Sequence, residues 1–305
     1  MLFLINQYKQ YLSSTSVDVE KKEDKSKGFL ITKKPVTAGQ RNMVRVDKSH
    51  LDSEAMTSRK LKKARKKTGG RNNRGRTTAF HRGGGHKQMQ FLIDYRRTVR
   101  DEAGMVTSIN YSATHTAWVA SVVTPSGKNY QILAPSGLEK YDWVNAGNDV
   151  SPSPGNAMPL KYIPQGYWVH NVESKPGQGG KFARAAGTKC QVRGIDPKTG
   201  DVTVKLASNE IRNFHSDCYA TVGTVDNLYH HEENLGKAGV SRHLGRRPHV
   251  RGVAMNPVDH PHGGGEGKST GGRPPVTPSG VLTKGKRTRN PRRKNRKILV
   301  PANKK

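Results

Sequence analysis

Short runs of alternating apolar and polar residues fill the middle of this 305-residue chain. A period of two points one side chain to the core and the next to the surface, as in a half-buried β-strand. Turn sequences such as Pro125–Gly127 and Asp196–Gly200 separate the runs, a spacing typical of small barrels rather than of a parallel sheet with helices. We therefore predict two small β-barrels, joined near residue 155 by a linker at Ser151–Pro159. The predicted strands are Gln88–Tyr95, Met105–Tyr111, Trp118–Val123, Tyr130–Leu133, Tyr167–Val172, Thr188–Ile195, Val202–Leu206 and Ala220–Val225.

The two ends of the chain lack this periodicity. Residues 1–60 mix charges with Ser, Thr and Gly, which predicts an extended arm, and Ser58–Arg76 is predicted to begin as a short helix that ends at Gly69–Gly70. Residues 236–285 contain 12 Gly and 6 Pro, too many for regular secondary structure. Because such a segment cannot bury its own backbone, we expect residues 236–305 to become ordered only on a partner.

Charge is distributed in the same three parts. The chain carries a formal charge of +31, of which residues 1–100 contribute +17, residues 101–235 contribute −2 and residues 236–305 contribute +16. From Ala55 to Ile93 there are 12 Lys or Arg and no acidic residue. A nearly neutral folded middle with two strongly basic flanks predicts that the flanks follow the phosphates of a nucleic acid.

Several classes of protein are disfavoured. The two cysteines, Cys190 and Cys218, stand far apart, which indicates neither a disulfide framework nor a cysteine zinc site, and a reducing compartment fits best. No apolar run approaches the length of about 18 residues that suggests a membrane span. The first 17 residues lack acidic side chains and faintly resemble an organellar presequence.

The segment Gly69–Arg76 has the chemistry of an RNA ligand. Arg71, Arg74 and Arg76 each carry a planar guanidinium that can bridge phosphate oxygens, while Asn72 and Asn73 offer donors and acceptors to bases and sugar hydroxyls. The glycine runs 83–85 and 263–265 lack Cβ atoms, so we expect their backbone to approach RNA closely and to present amides to phosphate.

The segment His262–Thr270 superficially resembles a nucleotide-binding loop. It ends in Gly-Lys-Ser, but its first required glycine is His262, and two prolines precede it where an apolar strand is needed. His260 and His262, next to Asp259, invite an acid–base or metal role. No fourth ligand, nucleophile or anchored metal accompanies them, so we expect the two rings to act architecturally in a tight, proline-flanked turn.

Four segments together resemble the bacterial-type ribosomal protein L2 family. They are GGRNNRGRTTAFHRGGGHKQMQFLIDYRR (Gly69–Arg97), HNVESKPGQGGKFARAAGT (His170–Thr188), LGKAG (Leu235–Gly239) and VRGVAMNPVDHPHGGGEGKSTGGRPPVTPSGVLTKGKRTR (Val250–Arg289). The resemblance runs in order from about residue 60 to 300. It implies an oligonucleotide-binding-type (OB) barrel, then a Src-homology-three-like barrel and a long tail, located on large-subunit rRNA beside the peptidyl-transferase region and the subunit interface.

We therefore predict a non-enzymatic, all-β constituent of the large ribosomal subunit that supports assembly, subunit association and translation. The expected parts are an N-terminal extension (1–68), the OB domain (69–157), the second barrel (158–230) and a tail threaded through rRNA (231–305). The expected RNA-binding residues are Arg71, Asn72, Asn73, Arg74, Arg76, His81, Arg82, His86, Lys87, Arg242, Arg246, Arg247, Arg251, Asn256, His260, His262, Lys268, Lys284, Lys286, Arg287, Arg289, Arg292 and Arg293.

The expected partners are large-subunit rRNA, other ribosomal proteins and the small subunit, with no membrane. No metal site and no cofactor is expected beyond magnesium ions that accompany rRNA. We predict a mitochondrial ribosome, with the bacterial cytoplasm or a plastid as alternatives. Two rival functions stay open: an RNA chaperone or translation factor that visits RNA transiently, and a histidine-dependent RNA-processing enzyme.

Overall fold

The computed structural model describes residues 30–52, 59–267, 272–286, 288, 290 and 297–301. Within these residues the chain forms 17 short β-strands and little helix. The strands are β1 Leu30–Thr32, β2 Val44–Val46, β3 Lys62–Ala64, β4 Met89–Phe91, β5 Gly104–Asn110, β6 Val119–Val123, β7 Asn129–Leu133, β8 Trp143–Val144, β9 Ala157–Pro159, β10 Trp168–His170, β11 Val172–Glu173, β12 Gly180–Phe182, β13 Cys190–Ile195, β14 Val202–Lys205, β15 Ile211–Phe214, β16 Tyr219–Val222 and β17 Ile298–Val300. The α-helices are α1 Ala38–Arg41 and α2 Ala238–His243, and single 3-10 turns lie at Arg59–Leu61, Leu160–Tyr162, Leu228–Glu232 and Gly252–Ala254.

The first barrel is built on an antiparallel sheet in the order β7-β6-β5-β8. Strand β6, with the sequence VASVV, is rich in the β-branched residues that favour strands. A shift of register between Val106 and Ser108 marks a bulge in β5, which bends a sheet toward closure. Val106, Val122 and Val144 are fully buried in this core, and burying one such side chain contributes about 1.5–3 kcal/mol.

The second barrel is built on a sheet in the order β17-β15-β14-β13-β10-β16-β9. Its core includes Val169, Val192, Val202 and Val204, none more than 1% exposed. The predicted turn at Asp196–Gly200 joins β13 to β14, with the amide of Gly200 donating to the carbonyl of Asp196 at 2.9 Å. The predicted all-β fold with OB and Src-homology-three-like barrels is confirmed.

The predicted linker at Ser151–Pro159 is wrong in its last part. Ala157–Pro159 forms strand β9, pairs with β16 and buries all three residues, because the short apolar run completes the edge of the second sheet. The buried side chain of Arg97 fixes the start of this connection, because its Nη2 donates to the carbonyls of Asn145 at 3.2 Å and Gly155 at 2.9 Å.

Two expectations for the N-terminal flank are wrong. Residues 30–52 are not an extended arm, because β1 and β2 form a hairpin that buries Val46 in the first core. Strands of three residues are too short to show a period. The helix predicted from Ser58 is a single 3-10 turn at Arg59–Leu61, followed by β3, which pairs with β4. A helix there would have brought like charges together at successive turns.

The tail contains more regular structure than its composition predicted. Residues 236–285 include the six-residue helix α2, and β17 extends the second sheet beside β15. The expectation that the tail orders only on a partner stays a prediction. Cys190 and Cys218 are buried free thiols. No helix in the described part of the chain is long and apolar enough to cross a membrane.

Candidate nucleic-acid interface

The two basic flanks, distant in sequence, lie against each other. Residues 81–86, which we call the first arm, run beside residues 243–249, the second arm. Their backbone hydrogen bonds join Gly83 N to Gly245 O at 3.0 Å, His86 N to His243 O at 2.9 Å and Arg247 N to His81 O at 3.0 Å. The His81 ring adds an edge-on contact with the His249 ring, with centroids 4.2 Å apart. The arms therefore form one continuous backbone unit.

Glycine at position 85 permits this approach. Its φ is +82°, and a Cβ there would lie 2.7 Å from both Gly245 N and His243 O. The neighbouring Gly84 has a similar φ of +62°, yet a Cβ would meet nothing within 4 Å. The sequence predicts that glycines 83–85 allow close approach to RNA, but at Gly85 the close partner is the chain's own second arm. Gly84 remains open.

The junction between the arms gathers predicted site residues that no sequence pattern placed together. Arg82 and Arg246 face each other in an isolated antiparallel bridge. Arg247 also lies on the second arm, Arg242 immediately precedes that arm and Lys87 immediately follows the first; all five of these cations are exposed. Lys67 Nζ donates to the carbonyl of His86 and adds a cation that the sequence analysis missed.

The loop Gly69–Arg76 is held by one of its own predicted RNA ligands. The side-chain oxygen of Asn72 accepts hydrogen bonds from the backbone amides of Arg74 at 2.9 Å and Arg76 at 3.0 Å. This oxygen is therefore engaged in the turn, as in other Asn-capped turns. The side chain of Asn73 forms no hydrogen bond with another described residue and stays available to RNA.

Glycine is required inside the same loop. Gly70 has a φ of +78°, and a Cβ there would lie 2.1 Å from the carbonyl oxygen of Ala79. That close packing lets the Gly70 carbonyl accept from the amides of Thr78 and Ala79. Arg71, Arg74 and Arg76 are consequently exposed on a fixed backbone, with Nη1 of Arg71 donating to the carbonyl of Gly69 at 2.6 Å.

His260 and His262 form the centre of a second tight turn. The amide of His262 donates to Nδ1 of His260 at 3.0 Å, and the amide of Val276 donates to Nε2 of His262 at 3.0 Å. The rings stack with centroids 5.1 Å apart. His260 is 8% exposed, with its ring against Gly252, where a Cβ would lie 2.5 Å away. Each ring thus uses a lone pair to hold backbone, which supports an architectural role.

The glycines of this turn serve the turn itself. The amide of Gly263 donates to His260 O at 2.8 Å and that of Gly264 donates to Met255 O at 3.0 Å, so neither is free to bind phosphate. A Cβ on Gly264 would lie 2.5 Å from Cγ of Pro257. The expectation that these two amides face RNA is therefore wrong, and the resemblance to a nucleotide-binding loop fails on geometry as well.

Comparison with known proteins assigns the chain to a family. The family profile described as "Ribosomal Proteins L2, RNA binding N-terminal domain" matches residues 58–146, and "Ribosomal Proteins L2, C-terminal domain" matches residues 153–280. The chain belongs to the ribosomal protein L2 family. It is 50% identical to the large ribosomal subunit protein uL2 of Rhodospirillum rubrum over 87% of this chain and 94% of that protein. It is 48% identical to the uL2 proteins of Alcanivorax borkumensis, over 88% and 97% of the two chains, and Rickettsia felis, over 87% and 96%.

Membership of the L2 family establishes the coarse function. The chain is a structural constituent of the large ribosomal subunit with an RNA-binding domain, its partners are rRNA and ribosomal proteins, and it is not an enzyme. The predictions of family, non-enzymatic role and ribosomal location are confirmed. In the described residues no group of three or more His, Cys, Asp or Glu could hold a metal ion.

The remaining predicted residues of this L2 chain are spread over the tail. Arg251, Asn256, Lys284 and Lys286 are exposed and are not gathered at the arm junction. Five others lie outside the described residues: Lys268, Arg287, Arg289, Arg292 and Arg293.

The described arginines and lysines of the predicted site share one electrostatic property. None of them forms an ion pair with another described residue, whereas lysines of the barrels do, such as Lys161 with Asp217 at 2.9 Å. Arginines placed side by side without a carboxylate repel one another. An RNA phosphate would remove that repulsion, and counterion release would favour its binding.

Proposed function

We propose that this L2-family chain binds large-subunit rRNA near the peptidyl-transferase centre and the subunit interface, where it supports assembly, association with the small subunit and translation. The observation that carries the proposal is the arm junction, where exposed cations form no ion pair with a described residue and project from a backbone fixed by its own hydrogen bonds. The RNA-binding residues predicted from the sequence belong to this proposal, with Asn72 and His260 reassigned to holding their turns.

We also retain the division into an N-terminal extension (1–68), OB domain (69–157), second barrel (158–230) and tail (231–305) as part of the proposal. The hairpin at residues 30–46 packs on the first barrel, so that extension has a folded part of its own. No cofactor other than rRNA-associated magnesium is proposed.

The compartment predicted from the sequence needs revision. The three relatives named above are bacterial proteins. They support a bacterial ribosome, the alternative prediction, better than the mitochondrial ribosome of the main prediction. Neither compartment changes the chemistry of the arms.

A directed cleavage experiment tests the location on rRNA. Cys190 and Cys218 are buried, so a cysteine introduced at Val258, which is 89% exposed, offers a selective attachment point for an iron chelate. In large subunits assembled with Val258→Cys, hydroxyl radicals should cut rRNA in the peptidyl-transferase region. A chelate on Val36→Cys, 80% exposed on the N-terminal hairpin, is the control and should cut elsewhere. Cleavage from Val258→Cys confined to other regions contradicts the location.

Substitutions of His260 distinguish a structural role of its ring from a role in proton transfer. In His260→Asn the amide oxygen can accept the hydrogen bond from His262 but cannot act as a base near neutral pH. We expect His260→Asn ribosomes to keep most of their peptide-bond rate and His260→Ala ribosomes to lose more. Equal loss in both variants would favour acid–base participation.

A simpler test distinguishes a structural constituent of the subunit from a protein that binds RNA transiently. A structural constituent should stay with large subunits through a high-salt wash and sedimentation, whereas an RNA chaperone or translation factor should dissociate.

A further inference from the structure

A groove separate from both arms lies between the N-terminal hairpin and the first barrel. It has a volume of about 570 Å³. Its apolar wall includes Val46, Ile109, Trp118 and Leu138, all at most 9% exposed as residues. At the other side it is bordered by Leu228, which is 41% exposed. The groove therefore offers an apolar surface long enough for the stem of a side chain.

The charge of the groove is opposite to that of the whole protein. Four carboxylates line it, those of Asp47, Asp52, Glu139 and Asp226, against one lysine, Lys140, and one histidine, His50. Lys140 already forms an ion pair with Asp52, with Nζ 3.7 Å from Oδ1. In a chain of formal charge +31, this local acidic excess disfavours RNA, because phosphates would approach carboxylates.

Two carboxylates in the groove form no ion pair with a lysine or arginine. Asp226 and Glu139 form no ion pair with another described residue, and burial raises the pKa of the Asp226 carboxyl above its ordinary value. Asn227 is 6% exposed and its Nδ2 donates to the carbonyl of Thr116 at 2.6 Å, but its Oδ1 has no hydrogen-bond partner. A buried acceptor without a donor is costly, so an occupant of the groove that donates to it would be stabilised.

We propose that this groove docks a basic protein segment, with one lysine or arginine side chain inserted into it. The cationic head would donate to Asn227 Oδ1 and the Asp226 carboxylate, and the aliphatic stem would pack on Leu138 and the rim of Trp118. Charge complementarity selects this occupant over nucleic acid. The protein thus has a protein-binding groove on the first barrel in addition to the rRNA-binding arms, and this inference does not depend on where on rRNA those arms bind.

Site-specific photo-crosslinking in assembled large subunits tests the proposal. Leu228 is replaced by p-benzoylphenylalanine, the subunits are irradiated, and the crosslinked peptide is sequenced. We expect a peptide from another protein with net positive charge and a Lys or Arg near the attachment point. Asp226→Asn should lower the yield about tenfold, the loss expected from about 1.4 kcal/mol of binding.

Control variants distinguish a loss of docking from a loss of protein stability. Asp149→Asn, an exposed carboxylate outside the groove, should leave the yield unchanged. If Asp226→Asn lowers the urea midpoint of the protein, the exposed Glu139→Gln replaces it and should also reduce the yield. Crosslinks to rRNA, to a second copy, to this chain itself or to an acidic segment would each overturn the proposal, as would no crosslink or a yield insensitive to these variants.

Discussion

Charged side chains have different partners in the barrels and in the arms. In the second barrel the buried carboxylate of Glu173 accepts hydrogen bonds from the amides of Gly177, Gly179 and Tyr219. At the arm junction, Arg82 and Arg246 lie side by side in solvent with no such partner. The second barrel therefore satisfies this buried carboxylate with its own amides, while the arms complete only their backbone hydrogen bonds and leave their cations for a phosphate. Substitutions in the barrels should change stability, and substitutions in the arms should change RNA binding.

The largest effect is expected at Glu173. Glu173→Ala leaves three amides of the second barrel without an acceptor, which should lower the free energy of unfolding by about 3–5 kcal/mol. Urea unfolding of the full chain measures this loss. Glu139→Ala removes an exposed carboxylate and should have little effect; equal losses in the two variants would show that Glu173 is not part of a self-contained core.

The next largest effect is a pH dependence in the same barrel. Burial lowers the pKa of His170 to about 4, below its unfolded value of about 6.5, and its ring bonds to the carbonyl of Gly223 at 2.9 Å. The unfolded chain therefore takes up the proton first. Above about pH 6.5 the ring is neutral in both states and the stabilising contribution of His170 is complete. As the pH falls to about 4, the free energy of unfolding should decrease by about 3 kcal/mol.

Urea midpoints measured across this range check the His170 prediction. His170→Gln should flatten the profile, whereas His231→Gln, at a histidine whose side chain is 77% exposed, should not. A profile unchanged by His170→Gln would assign the pH dependence to other groups.

A smaller effect, on RNA affinity rather than stability, is expected in the arms. Gly85→Ala places a Cβ against the second arm and should separate the junction, weakening rRNA binding about tenfold, a loss of about 1.4 kcal/mol, with an unchanged urea midpoint. Gly84→Ala carries similar backbone strain without the clash, so it is the matched control. Filter binding measures both variants, and identical affinities would mean that the junction does not organise the RNA-binding surface.

The fold was predictable wherever local sequence decides it. The β-branched residues of β6 predict a strand, and the Asp, Pro and Gly residues of Asp196–Gly200 predict the turn that forms there. By contrast, the hairpin of β1 and β2 was missed because each strand has only three residues, and its stability comes from packing Val46 on a distant core.

For the predicted site, the sequence supplied residue types but little of the geometry. Residue type identified arginines and histidines as RNA ligands, which stays a prediction. The close approach of Gly85 to Gly245 could not be predicted because no local signal records contacts between distant segments. Nor did composition show that Asn72 and His260 would use their acceptors on the chain's own amides.

The salt dependence of rRNA binding tests the contrast between arms and barrels most directly. Two triple variants remove the same charge. One changes Arg71, Arg74 and Arg76 to Ala in the loop Gly69–Arg76, where Gly70 lies against Arg82 of the first arm. The other changes Lys128, Lys140 and Lys161 to Ala in the barrels, where each lysine has a carboxylate partner. The loop variant should reduce the slope of log affinity against log salt by roughly 0.7–0.9 for each phosphate that is no longer neutralised, and the barrel variant should keep the original slope. Equal slopes in the two variants would contradict the account, because RNA would then respond to net charge alone.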